Sequence, residues 1–82
     1  MMKSKAFAIA SIYVPVKRRA TLDPEKVRAI AQSMLETGQK ALILVRQDGD
    51  RLVLIEGLHR LEACRSLGEE TILGYVVDAR RH

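Results

Sequence analysis

The spacing of apolar positions changes along the chain, and each change marks an element. Phe7 to Val16 is a nearly unbroken apolar, β-branched run and predicts a buried strand. Asp23-Pro24-Glu25 follows a polar stretch and is a helix start: Asp23 can accept a hydrogen bond from the first turn, and Pro24 has no N–H to leave unpaired there. Val27, Ile30, Ala31, Met34 and Leu35 then recur at the i, i+3, i+4, i+7, i+8 spacing of one helical face, and Gly38 closes the helix. Ala41 to Arg46 predicts a second strand. Gln47-Asp48-Gly49-Asp50 carries the Asp-Gly signal of a tight hairpin, and Arg51 to Glu56 forms the returning strand. Gly57 interrupts it, Leu58 to Leu67 predicts a second helix ended by Gly68, and Thr71 to Val77 a last strand. The order β-α-β-β-α-β predicts a small α/β domain: two helices on a mixed, four-stranded sheet. Lys17 to Leu22 is expected to be a basic loop and residues 1–5 a disordered end.

The chain has 82 residues, which leaves room for one domain, 1–82. Only Phe7, Tyr13 and Tyr75 are aromatic, so the core must be aliphatic. The single cysteine, Cys64, cannot form an internal disulfide, and with two histidines it gives no metal-ligand spacing. No apolar stretch approaches the ~20 residues of a membrane span. Lys3 and Lys5 precede an apolar run, but the basic Lys17-Arg18-Arg19 follows where a cleavage region would stand, so a cytoplasmic protein is expected. The net charge of +4 favours phosphate-bearing partners without naming one.

Candidate chemistry concentrates at Glu56-Gly57-Leu58-His59-Arg60, where a strand turns into a helix. The opening N–H groups of a helix lack intrahelical partners and carry partial positive charge, so this turn is an anion site. Gly57 lets a ligand approach the backbone, Arg60 can grip phosphate with two N–H groups, and His59 can donate a hydrogen bond or move a proton. A helix end contributes at most ~2 kcal/mol to holding an anion. Other groups must therefore help: Lys17, Arg18 and Arg19, and also Lys26, a cation in the first turn of a helix, where it opposes the dipole.

In order and spacing, residues 12–77 resemble the superfamily of sulfiredoxins and ParB N-terminal (ParB-like nuclease) domains. The likeness is carried by Ile12 to Val16, Leu22 to Val27, Ser33 to Gly38, the hairpin, Gly57-Leu58-His59-Arg60, and Ala63 to Gly68 running into Thr71-Ile72. The resemblance implies that the turn at Gly57, Leu58, His59 and Arg60 holds nucleotide phosphates, with Lys26, Arg19 and Ser33 on the nucleotide side. It implies ATP or ADP as ligand, or CTP, with Mg²⁺ compatible and no protein-only metal site. It further implies action on phosphoanhydride or nucleic-acid phosphodiester bonds, as a nuclease or nucleotide hydrolase. In that reading His59 and Arg60 are catalytic and Glu56 holds Mg²⁺ or orients water. Lys17, Arg18 and the tail Arg80-Arg81 would meet a DNA or RNA backbone without reading sequence.

Two departures separate the activities within the superfamily. Sulfiredoxins carry Cys where this chain has Leu58, and Cys64 lies roughly 9 Å further along the helix at 1.5 Å per residue. Cysteine sulfinic acid reduction with a peroxiredoxin partner is thus a less favoured alternative. ParB has an acid at the position of Leu58 and usually an arginine at that of Glu62, and the segments that follow its N-terminal domain are not expected here, so its CTP switch is not expected either. A second alternative is a nucleotide-dependent DNA- or protein-binding module without catalysis.

Overall fold

The apolar run at the start of the chain forms two strands, and they lie at opposite edges of one sheet. The computed structural model describes residues 3–77. Strand β1 (Lys5–Ala8) pairs antiparallel with β5 (Thr71–Val77), whereas β2 (Ile12–Tyr13) pairs parallel with β4 (Arg51–Glu56). With β3 (Leu42–Asp48) the order across the sheet is β1-β5-β3-β4-β2, giving five strands where four were expected. The end already expected to be disordered enters β1 at Lys5, which pairs with Gly74; the tail Arg80-Arg81-His82 lies outside the described residues.

This topology forces the sheet to curl. Five flat strands at ~4.8 Å spacing would place the edges ~19 Å apart. Only the 3-10 turn Ile9–Ser11 separates β1 from β2, and four residue steps span at most ~14 Å. The edges must bend toward each other, and the bridging residues drop inside the curl. Ile9, Ile12 and Val14 are accordingly buried with Ile43, Val45, Leu54 and Ile72 of the sheet. The Ile9 N–H donates to the Glu70 carbonyl at 2.9 Å and pins the crossing. A period-based reading sees only that the run is apolar, not which edge each half joins.

Helix α3 (Leu58–Ser66) closes the curl, with Leu58, Leu61, Ala63 and Cys64 buried. Helix α2 (Pro24–Thr37) behaves differently from its amphipathic pattern. Its ends are as expected: Asp23 accepts from the Glu25 N–H at 3.0 Å, and Gly38 takes the left-handed conformation. Yet none of its residues is buried, and Leu35 is 68% exposed. The reason is that α2 packs chiefly on α3 and not on the sheet, so its apolar stripe is only half covered. The expected basic loop also contains a short helix, α1 (Val16–Arg19), started by the Pro15 carbonyl, which accepts from the Arg18 and Arg19 N–H groups.

Candidate functional site

The turn from β4 into α3 opens onto a groove of about 540 Å³ between α3 and the α1–α2 segment. Gly57 occupies the helix start at φ 111° and ψ 30°, and no side chain caps it. The Leu61 N–H is the first with an intrahelical acceptor, the Gly57 carbonyl at 2.8 Å, so those of Leu58, His59 and Arg60 precede the ladder and are free for an anion.

Basic side chains gather around these groups. Arg18, Lys26, His59 and Arg60 line the groove together with Thr21, Ala29, Ile30 and the acidic Glu56. The described ion pairs are Arg28–Glu25, Arg51–Asp48 and Arg65–Glu62, none of which uses a groove cation. Arg60 is fixed from behind: Nη1 donates to the Leu42 carbonyl at 3.1 Å. That bond leaves its other donors uncommitted.

His59 is less free than its position in the sequence suggests. Its Nε2 accepts the backbone N–H of Asp23 at 3.0 Å. A neutral imidazole accepting at Nε2 carries its proton on Nδ1. In this state it can donate from Nδ1, whereas acting as a base requires breaking the Asp23 bond.

The structure brings together only part of the expected set. Arg18 reaches the groove, but Lys17 and Arg19 are not among its lining residues, because successive positions on a short helix diverge by ~100°. Ser33 does not line the groove but an adjoining depression, with Thr37 and Lys40, two turns along α2 from Lys26; Ile30 and Arg60 line both. Leu58 turns its side chain into the core and offers the groove its backbone. Gly57 has a further role: a Cβ there would stand 2.7 Å from Ile43 Cγ2, so the missing side chain admits Ile43 as well as any ligand. Thr21, Ala29 and Ile30 line the groove without a sequence motif that marks them as site residues. For Ala29 and Ile30 the available signal is their spacing, i+3 and i+4 from Lys26 on the same helical face.

Cys64 belongs elsewhere. It is buried and lines a second cavity of about 360 Å³ with Met34, Leu67 and Ile72, and this cavity shares no lining residue with the groove. Burial pushes its thiol above the ordinary range, the Glu69 charge adds to this, and Lys40 opposes it. The unfolded chain releases that proton first as pH rises. The stability linked to this group is therefore complete below about pH 8.5 and declines above it. Native protein at pH 8 should react with iodoacetamide about tenfold or more slowly than denatured protein. Equal rates would show that the thiol is accessible and ionised.

Among the described residues no group of three or more His, Cys, Asp or Glu could hold a metal ion, and no helix is long and apolar enough to cross a membrane. A family model for the ParB N-terminal domain matches residues 3–82. A probable chromosome-partitioning protein ParB of Campylobacter jejuni is 33% identical over 64 residues, covering 78% of this chain but only 23% of that protein. Sulfiredoxin from Arabidopsis thaliana superposes with a TM-score of 0.80 at 25% identity, over 94% of this chain and 86% of its own. A C-terminally truncated chromosome-partitioning protein ParB from Caulobacter crescentus, complexed with CTP-gamma-S, gives 0.75 at 25% identity over 93% and 44%.

Proposed function

As the chain belongs to the ParB N-terminal domain family, we propose that its groove binds the phosphates of a nucleoside di- or triphosphate, ATP or ADP first and CTP as the alternative base. The observation that carries this reading is the convergence of Arg18, Lys26, His59 and Arg60 on the open N–H groups of α3. The groove volume lies within the ~300–1,000 Å³ of small-molecule sites. The ParB of Caulobacter crescentus, a structural neighbour, was captured with CTP-gamma-S, which supports a nucleotide as the class of ligand.

Calorimetric titration of the full chain with ADP, ATP and CTP, with and without Mg²⁺, tests this. Saturable binding that weakens as salt is added is the expected result, since the attraction is largely between charges. No heat of binding at millimolar nucleotide would overturn it.

Glu56 favours a second reading, hydrolysis, because it lines the same groove as the phosphate donors. Mg²⁺ commonly binds one or two carboxylates together with substrate phosphates, so Glu56 would suffice as the protein's share. Arg60 and the α3 N–H groups would stabilise charge on the phosphorus oxygens, and His59 would donate from Nδ1. DNA or RNA would lie along the exposed Lys17, Arg18 and Arg19 of α1, through its backbone only. Release of ADP from ATP, or nicking of plasmid DNA, should appear with Mg²⁺ and disappear in Glu56→Gln. Sulfinic acid reduction through Cys64 is disfavoured by the separation of its cavity from the groove.

A further inference from the structure

We propose that His59 is a positioning residue that couples the groove's occupancy to the placement of the α1–α2 segment; the coupling rests on the nucleotide reading above. Three observations lead to it. First, among the described hydrogen bonds, Asp23 N–H to His59 Nε2 at 3.0 Å is the one that ties α1 or α2 to the sheet or to α3. Second, neither helix fully buries a residue: α2 rests on α3 with Val27, Ile30, Ala31 and Met34 only half-buried, and α1 buries nothing, so the start of α2 has no buried apolar anchor of its own. Third, the segment contributes Arg18, Thr21, Lys26, Ala29 and Ile30 to the groove, so half of the site is carried by the part that this bond restrains.

The imidazole therefore has two partners with different duties. Nε2 holds the start of α2 through Asp23, which fixes the proton on Nδ1. His59 lines the groove, and its Nδ1–H is the donor left for a phosphate oxygen. A phosphate accepting from Nδ1–H enriches the ring in electrons and makes Nε2 a better acceptor. Nucleotide then tightens the Asp23 bond and draws Arg18 and Lys26 onto the site. By reciprocity, a chain already latched at Asp23 binds nucleotide more tightly.

The amide side chains of Gln and Asn separate the two duties, because Gln reaches about as far as Nε2 and Asn about as far as Nδ1. The test uses ¹⁵N-labelled full chain at neutral pH as wild type, His59→Gln and His59→Asn. Imidazole nitrogen shifts of the nucleotide-free protein should show protonated Nδ1 and bare Nε2. Exchange of the Asp23 amide should be about fivefold faster in His59→Asn than in wild type or His59→Gln, the loss of one hydrogen bond. Saturating ADP should slow this exchange further in wild type and leave it unchanged in His59→Gln. Protonated Nε2, or equal exchange in wild type and His59→Asn, would overturn the latch. Bound ADP that leaves Asp23 exchange unaltered would overturn the coupling while the nucleotide reading stands. ADP that fails to bind would remove the nucleotide reading and the coupling, with the ADP-free arms still deciding the latch.

Discussion

Gly57→Ala is expected to destabilise the domain by about 2–6 kcal/mol, more than any exposed substitution in the groove. Two costs combine. At φ 111° an L-residue is strained, which costs about 1–3 kcal/mol. The added Cβ would also lie 2.7 Å from Ile43 Cγ2, 3.2 Å from its Cβ and 3.3 Å from its Cα. Ile43 is 1% exposed on the central strand β3 and cannot move aside without disturbing the core. Overpacking of this kind costs typically about 1–3 kcal/mol more. A domain of this length has only about 4–12 kcal/mol of stability, so the variant should melt tens of degrees lower or fail to fold. Gly49→Ala separates the two causes. Its φ is 61° and nothing lies within 4 Å of the added Cβ, so it should lose only about 1 kcal/mol. Thermal melts of the two variants check the argument, and equal melting temperatures would refute the role given to Ile43.

This position also shows what a sequence makes legible. The hairpin, the ends of α2 and the start of α3 were readable because their signals are local: Asp23 meets Glu25 two residues away, and Gly38 ends the helix it adjoins. The open start of α3, on which the proposed phosphate site rests, is legible for the same reason. The split of the Phe7–Val16 run was not, because its two halves are defined by partners in β5 and β4, far along the chain. Nor was the engagement of His59 by Asp23, 36 residues away, although it limits what that imidazole can do. The half-covered face of α2 followed from the same limit. Apolar spacing states which side of a helix faces inward, not whether a sheet or only another helix waits there.

Arg60→Ala is expected to weaken ADP binding about 10- to 100-fold, the loss of one charge-assisted interaction worth about 1.5–3 kcal/mol. Its effect on stability should be small, because the side chain is exposed and makes one backbone contact, to the Leu42 carbonyl at 3.1 Å. That contact is why lysine should not rescue. The guanidinium can spend Nη1 on Leu42 and still present other N–H groups in a fixed plane, whereas an ammonium has a single nitrogen for both tasks. Arg60→Lys should therefore recover the charge-dependent part of affinity and not the remainder, falling between wild type and Arg60→Ala at every salt concentration. Calorimetry at two ionic strengths distinguishes the parts, since the Coulomb share shrinks with salt and the directional share persists. If Arg60→Lys bound ADP as wild type does, the anchored fork would have no function. If Arg60→Ala did so as well, the phosphate would have to lie away from the α3 start, and the groove assignment would be wrong.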